Sequence, residues 1–295
     1  MARKYDSEET KQKILSSSVR LFIEKGYHET TMTEILHDAG VSGSSFHSIF
    51  HTKDGVLAEL TEFMFENQFG VAENIIGTGK NPVLLYAVET CIQLTLTEMN
   101  EHLRDIYMEA YTQPALMDYI HKHTAKKIAM IFRQYNKDFQ ESDFYEMEIG
   151  TAGCMRAYIS KKCDMYFTLE KKLERFLRVT LGAYHVPDDI QRETIAYIGK
   201  LKIREITGQV MNKLFMALAM KYDFTFHEAN TKRNEGYYDK ERISQETFYY
   251  VSSSGAGTPL GKCTGNIIIK PDQKSGGSRA GRNDFCRGRG YRRRI

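Results

Sequence analysis

Apolar residues recur every three or four positions through most of residues 1–228, which is the period of an α-helix. The first such stripe, with one serine among its apolar residues, consists of Ile14, Leu15, Ser18, Leu21 and Phe22. It predicts a helix that opens at Asp6 or Ser7 and ends at Gly26. Because strand-like alternation is nearly absent from this part of the chain, we predict an all-α fold.

A second helix is predicted immediately after Thr31. Glu34 follows Thr31 by three residues, and this is the spacing of a capping box. The apolar face of the helix consists of Met32, Ile35, Leu36 and Ala39. Gly40 ends it, because glycine adopts the left-handed backbone conformation without strain.

A third helix follows the short turn at Val41, with Ser42 as its N-cap. Its buried face consists of Phe46, Ile49 and Phe50. The opposite face carries hydroxyl and imidazole groups, from Ser44, His47, Ser48 and His51, with Ser45 on the flank. The second and third helices form a helix-turn-helix pattern, in which the second helix of the motif enters the DNA major groove. The alternative is a solvated helical hairpin that binds nothing, since this spacing also arises by chance.

The pattern beyond the motif predicts a connecting helix at residues 53–76 and then a bundle of about five helices. A turn-rich segment at residues 77–82 separates the two parts. The bundle helices are predicted at residues 84–113, 116–135, 144–165, 169–184 and 187–222, the last with a break near Gly208. The predicted domains are therefore residues 1–52 and 53–228.

The composition changes abruptly after residue 228, where the chain becomes polar and rich in Gly, Arg and Ser. We predict a largely disordered basic tail at residues 229–295, with at most one weak hairpin. Its Arg-Gly end could hold nucleic acid non-specifically through charge and stacking. A shifted reading frame would explain the same change of composition, and the sequence leaves both explanations open.

The net charge of +3 hides an asymmetry between tail and body. Residues 229–295 hold 14 Lys and Arg against 6 Asp and Glu, which leaves 27 against 32 in residues 1–228. Residues 1–60 carry 7 basic and 9 acidic side chains, so the helix-turn-helix domain lacks the basic excess typical of a DNA-binding domain. Basic residues near its two ends, such as Arg3 and Lys53, must supply any phosphate contacts.

Several functional classes receive no support from the sequence. No run of apolar residues is long enough for a membrane span and the N-terminus lacks an apolar signal region, so we expect a cytoplasmic protein. The five cysteines are widely spaced without a C-x-x-C pair, which favours reduced thiols over disulfides or a metal site. We find no paired carboxylates, nucleophile elbow or metal-ligand spacing, and therefore expect neither an enzyme nor a cofactor.

The segment from Lys11 to Leu57 resembles the DNA-binding domain of the tetracycline-repressor (TetR) family. The likeness lies in an I-L pair in the first helix, L-F and G-Y at its end, T-T before the second helix, A-G-V-S at the turn and F before the final T-K. The resemblance implies a homodimer that binds a palindromic operator, and a body that binds a small molecule and dimerises. It implies DNA contacts from Thr33, Ser42, Gly43, Ser44, Ser45, His47 and Lys53. The family often has Lys at the position of Gly43 and Tyr at that of His47, so two phosphate contacts are absent or weakened here.

The body contains a concentration of Met and Tyr that suits an adaptable pocket for an apolar or aromatic effector. The candidate effector-binding residues are Tyr86, Met99, Tyr107, Met108, Tyr111 and Met117. Ordinary core filling is the alternative for each of them. Small residues at 149–157 form a helix face that fits either a dimer seam or close packing within one chain.

The function expected from these features is a ligand-responsive homodimeric repressor that a small molecule releases from double-stranded operator DNA. The alternative is an all-α interaction or sensor protein whose helix-turn-helix domain has lost specific DNA binding. The sequence names neither the effector nor the operator.

Overall fold

The computed structural model describes residues 2–66, 68–77 and 81–226. Within them it contains α-helices and one short 3₁₀ helix at Arg133–Tyr135, without a strand, which confirms the all-α fold class. The helices are α1 Ala2–Lys25, α2 Met32–Ala39, α3 Gly43–Phe50, α4 Lys53–Glu66, α5 Gln68–Ile76, α6 Pro82–Met99, α7 Glu101–Ala110, α8 Pro114–Phe132, α9 Glu141–Ser160, α10 Leu169–Ala183, α11 Asp188–Lys200 and α12 Ile203–Tyr222. The predicted tail at 229–295, with its hairpin, lies outside the described residues.

Helices α1 to α3 form the N-terminal head around a small apolar core. Its buried aromatic residues are Phe22, Tyr27, Phe46 and Phe50. Ile35 joins them fully buried, whereas the predicted core residue Leu21 is only half-buried. Helix α1 begins at Ala2 and not at residue 6 or 7, because no Gly or Pro before Lys25 interrupts it.

Helix α6 is the central element of the body and packs against α5 and against α7 to α12. Its residues from Tyr86 to Thr97 are all buried, so the helix has no solvent-facing stripe in this range. The prediction of one continuous helix at 84–113 is wrong, because the helix is interrupted at Asn100. The Asn100 side chain accepts a hydrogen bond from the Leu103 N–H at 2.9 Å, so Asn100 ends α6 and caps α7.

Helices α4 and α5 occupy the range predicted as one connecting helix, and residue 67 between them lies outside the described residues. One other boundary differs from the sequence prediction. The break predicted at Gly208 occurs instead at Leu201 and Lys202, between α11 and α12. Gly208 is buried inside α12, where the absence of a side chain permits close packing.

Hydrogen bonds join the head and α4 to the rest of the body on two sides. On one side, the Ser16 hydroxyl of α1 donates to the Asp223 carbonyl at 3.1 Å, and the Tyr222 hydroxyl donates to the Glu59 carbonyl of α4 at 3.2 Å. On the other side, the His28 N–H donates to the Asp105 carboxylate of α7 at 2.9 Å. The head is therefore held between α7 and the end of α12.

Candidate DNA-binding face and effector cavity

The two helices of the helix-turn-helix motif are capped as their sequence predicts. The Glu34 N–H donates to the Thr31 hydroxyl at 3.2 Å and the Thr31 N–H donates to the Glu34 carboxylate at 2.8 Å, which completes the capping box. Gly40 has φ +63° and ends α2. The Ser45 N–H donates to the Ser42 hydroxyl at 3.1 Å, which fixes the start of α3.

The hydroxyl groups at the start of α3 form one connected cluster. The Ser42 oxygen lies 2.9 Å from the hydroxyl oxygens of both Ser44 and Ser45. Ser44 is exposed and Ser45 is half-buried, as their helical positions predict. Each hydroxyl can rotate its proton outward, so the cluster can donate to or accept from a nucleic acid.

The imidazole of His47 is fixed by its own helix. Its Nδ1 lies 2.9 Å from the His51 carbonyl oxygen, and the two rings meet edge to face at a centroid distance of 5.3 Å. Because a carbonyl can only accept, Nδ1 carries the proton and the Nε2 atom of the neutral ring is an acceptor. An exposed acceptor on this helix can receive a hydrogen bond from a cytosine or adenine amino group.

The ammonium group of Lys53 is directed into the head. It donates to the carbonyls of Tyr27 at 2.7 Å and Thr30 at 3.0 Å and lies over the Tyr27 ring. Burial lowers the pKa of Lys53. Two of its three protons are therefore already used, which leaves one for the phosphate contact that the family resemblance implies.

The remaining candidates for DNA contact lie on or beside the same surface. Thr33 and Gly43 are exposed at the starts of α2 and α3. The other Lys and Arg residues between positions 7 and 60 all form ion pairs within the protein: Lys11 with Glu59, Lys13 with Glu9, Arg20 with Glu24 and Asp38, and Lys25 with Glu34. The exposed face of α3 consequently offers hydrogen-bonding groups and little free positive charge.

The body contains a small cavity between α6 and α8 to α10. The lining residues are Tyr86, Thr90, Gln93, Tyr111, Thr124, Glu148, Thr151, Ala152, Met155 and Phe176. Its interior offers about 20 Å³ to the centre of a water molecule. Since one water requires roughly 10–15 Å³, the closed cavity holds about one water and an effector must widen it.

A buried carboxyl group, that of Glu148, forms part of the cavity wall. The hydroxyl of Thr151 donates to its Oε2 atom at 2.9 Å, and the Tyr184 hydroxyl lies 3.3 Å from the same atom. Burial raises the pKa of Glu148 to about 8, although both hydrogen bonds oppose the shift. The side chain is therefore mostly protonated at pH 7 in the empty cavity.

A second acid, Glu89 of α6, lies behind Gln93. The Gln93 amide nitrogen donates to Glu89 Oε1 at 3.4 Å, and burial raises the pKa of Glu89 well above its usual range. The amide oxygen of Gln93 is buried without a hydrogen-bond partner, as is the hydroxyl of Thr124. Unpaired buried polar atoms are costly, so these two groups indicate where a polar ligand or a water molecule would bind.

The cavity includes only part of the effector-binding set predicted from the sequence. Tyr86 and Tyr111 line it. Tyr107 is buried elsewhere, with its ring 6.3 Å from that of Phe65. Met99, Met108 and Met117 are half-buried and do not line the cavity.

Sequence reasoning missed the polar half of the cavity. Glu148 lies on the buried face of α9, four residues after Phe144 and four before Ala152. A carboxylate within an otherwise apolar helical stripe was the available signal, and Glu89, one of only two charged residues in α6, was another.

The described residues contain no group of three or more His, Cys, Asp or Glu side chains arranged to hold a metal ion. None of the helices in residues 2–66, 68–77 and 81–226 is both long and apolar enough to cross a membrane. Cys91, Cys154 and Cys163 are free thiols.

Curated relatives match parts of this chain. The chain is 28% identical over 117 residues to the uncharacterized HTH-type transcriptional regulator YvkB of Bacillus subtilis (strain 168), covering 40% of this chain and 59% of YvkB. It is 33% identical over 67 residues to YerO, covering 23% of each chain, and 27% identical over 138 residues to YuxN, covering 44% of each; both are uncharacterized HTH-type transcriptional regulators of the same strain. The chain thus spans less than two thirds of each relative.

Among solved structures, the fold resembles the crystal structure of a gamma-butyrolactone receptor (ArpA-like protein), with 15% identity and a TM-score of 0.42 over 69% of this chain and 99% of that chain. Residues 14–60, which run from α1 through the capped helix pair into α4, match the family model of bacterial regulatory proteins, tetR family. This segment of the chain is therefore similar to bacterial regulatory proteins of the tetR family.

Proposed function

We propose that the protein is a homodimeric transcriptional repressor that binds a palindromic operator and is released by a small molecule. The observation that carries the proposal is the capped helix α3, whose outward face offers Ser44, Ser48 and His47 while Phe46 and Phe50 anchor its inner face. In a dimer, two such helices enter successive major grooves about 34 Å apart.

The contact assignment is tested with the double variant Ser44→Ala/His47→Ala. Both side chains are exposed, so the variant keeps its fold. It loses about 30-fold or more in operator affinity, because two lost base contacts at about 1–3 kcal/mol each amount to at least about 2 kcal/mol. Operator selected from random duplexes by the wild-type protein serves as the probe in a gel-shift titration.

The matched control is Thr225→Ala/His123→Ala, which removes one hydroxyl and one imidazole from the body. It leaves operator affinity unchanged. Full, sequence-selective binding by Ser44→Ala/His47→Ala would remove α3 from the mechanism.

The dimer in this proposal forms through α9 and α10. Ile149 and Val179 are 45% and 53% exposed on the outward sides of these helices. A Cβ atom added to Gly150, Gly153 or Gly182 meets no atom within 4 Å, so these positions leave an open and shallow surface. Small residues on such a surface permit close approach of helices from a second copy, which favours the dimer seam over packing within one chain.

Gly153→Arg tests the seam, because the new side chain has room in the monomer and would clash with a second copy. The variant sediments as a monomer and loses cooperative operator binding. Gly199→Arg on α11, which also meets no atom within 4 Å at Cβ, is the control and stays dimeric. A dimeric Gly153→Arg protein would move the seam to another surface.

The cavity and the head are connected through the end of α7. Tyr111 lines the cavity and follows α7 directly. Two residues later, the Gln113 side chain donates to the Asp54 carboxylate in the first turn of α4 at 3.0 Å, and the Tyr27 hydroxyl donates to the same carboxylate. A ligand that displaces Tyr111 would shift α4 and the distance between the two heads, provided that it binds one spacing better than the other.

The pairing of the head's cations favours a second candidate, an interaction protein without specific DNA binding. Each Lys and Arg between positions 7 and 60 already has a carboxylate or carbonyl partner. A salt titration with duplex DNA separates the two functions. Binding with a shallow salt dependence supports the repressor, and absence of binding at low salt supports the interaction protein.

A further inference from the structure

The cavity in the body presents hydrogen-bond acceptors and ring faces to its interior. Gln93 is 3% exposed and its amide oxygen has no hydrogen-bond partner. Glu148 is 5% exposed, and the hydrogen bonds that it receives are both directed at Oε2. The rings of Tyr86, Tyr111 and Phe176 complete the lining.

Cations are missing from the lining of this cavity. Among the described residues, neither Glu148 nor Glu89 forms an ion pair with a Lys, Arg or His side chain. The hydroxyl chain from Tyr184 through Thr151 to Glu148 donates toward the carboxyl oxygen. The wall is therefore preorganised to stabilise a carboxylate, and only the positive partner is lacking.

The other titratable groups around Glu148 carry no charge near neutral pH. Burial raises the pKa values of Tyr86, Tyr111 and Tyr184. Burial lowers the pKa of His121, which lies on α8 one turn before the lining residue Thr124. Burial also raises the pKa of Cys154 on α9. A charge on Glu148 consequently has no competing cation in its surroundings.

We propose that the effector is an organic cation with N–H donors and an aromatic or apolar body, whose charged nitrogen pairs with Glu148 and whose second donor reaches the Gln93 amide oxygen. This inference rests on the proposed effector function of the cavity. An anionic effector is disfavoured because the lining holds no cation to pair with it, and a ligand with only acceptor groups leaves the Gln93 oxygen unpaired.

The aromatic residues of the wall suit the same ligand class. A cation desolvated against the faces of tyrosine and phenylalanine rings is stabilised by their quadrupoles. On binding, the Glu148 proton passes to solvent and the carboxylate remains beside the ligand nitrogen. Binding of the cation thus releases about one proton at pH 7, since the ligand supplies the opposite charge that burial denies to the empty site.

The test compares ligands of one shape and different charge on the full-length protein. Benzamidine and 2-phenylethylamine are the cations, benzamide and 2-phenylethanol are their neutral counterparts, and benzoate is the anion. Titration calorimetry in two buffers of different ionisation enthalpy measures both affinity and proton release. The cations bind at least about tenfold more tightly than their counterparts and release a proton. Equal or tighter binding of the neutral compounds or of benzoate overturns the proposal, as does absence of cation binding at millimolar concentration.

Glu148→Gln keeps the size of the side chain and removes the charge. In this variant the preference for cations falls to about equal affinity and proton release disappears. Retention of the preference would assign the charge recognition to another group and overturn the role of Glu148. Since the ligand comparison on the wild-type protein needs no variant, an unstable Glu148→Gln protein leaves the proposal testable.

Operator binding by the same preparations separates this inference from the proposed function. A protein that binds operator but no cation contradicts only the ligand class. A protein that binds no DNA at low salt contradicts the repressor, whatever it does with benzamidine.

Discussion

Helix α3 buries two of its eight residues, whereas α6 buries thirteen of its eighteen. Both helices are rich in hydroxyl groups, but these groups serve different ends. In α6, the hydroxyls of Thr90, Thr95 and Thr97 donate to carbonyls one turn earlier in their own helix. In α3, the Ser48 hydroxyl donates to the Ser45 carbonyl in the same way, but Ser44 is exposed and its hydroxyl contacts that of Ser42 rather than a carbonyl. The comparison teaches that a hydroxyl bonded to its own helix is structural, whereas one at the surface stays open to an outside partner.

The loss of stability differs most between the two helices when Leu94→Ala in α6 is compared with Ser48→Ala in α3. Leu94 is fully buried in α6, so its truncation lowers the free energy of unfolding by about 2–5 kcal/mol. Ser48→Ala on the exposed face of α3 changes it by at most about 0.5 kcal/mol. Urea denaturation of the full chain followed by circular dichroism measures both. Similar values for the two variants would contradict the central position of α6.

The pH dependence of the free energy of unfolding tests whether Glu148 in the body is buried without charge, and Glu148→Gln is the variant that removes its contribution. Since the folded pKa of about 8 lies above the ordinary value of 4.5, the stabilisation from this group is complete below pH 4.5 and is lost as pH rises through 8. Between these values, stability falls by up to about 1.4 kcal/mol per pH unit for this one proton. Glu148→Gln removes that part of the slope, measured as midpoint shifts in urea at several pH values. An unchanged slope would mean that Glu148 is ionised in the folded protein.

Ser42→Ala tests whether α3 depends on its cap. The variant loses the hydrogen bond from the Ser45 N–H and about 1 kcal/mol of stability, and its operator affinity falls with the ordering of α3. Ser48→Ala is again the control for stability alone, because its hydroxyl donates to the Ser45 carbonyl and caps nothing. Equal stability of the two variants would show that packing alone orders the helix.

Gly43→Ala has the smallest expected effect on stability, and it stabilises the protein whereas the preceding variants destabilise it. A Cβ atom at this position meets only Leu36 Cδ1, at 3.7 Å, so the substitution stabilises α3 by up to about 1 kcal/mol. Gly55→Ala is the matched control within the head. Its Cβ would lie 2.5 Å from the Phe50 carbonyl oxygen, and the variant is destabilised. Thermal denaturation of both proteins distinguishes the two signs.

The sequence predicts the head well because its signals are local. Thr31 with Glu34, Gly40 and Ser42 each act within three or four residues, and the structure confirms all of them. The contact residues for DNA stay a prediction, since a face that is exposed in the free protein has no partner to identify it.

The body was harder to predict because its boundaries depend on tertiary contacts. The apolar period continues through Asn100, and only the cap bond to Leu103 separates α6 from α7. The polar wall of the cavity arises because α6, α8 and α9 each contribute one or two side chains, such as Gln93, Thr124 and Glu148. Periodicity along one helix cannot indicate which residues of different helices meet.

The contact between α12 and α1 affects the order in which tertiary contacts can form during synthesis. Ser16 bonds to the backbone of a residue 207 positions later in the chain, and the Tyr222 ring packs 6.2 Å from that of Phe63. During synthesis, α1 and α4 leave the ribosome long before α12. The surface that α12 covers on them therefore stays open until α12 itself has been synthesised, and the head acquires its full set of contacts only then.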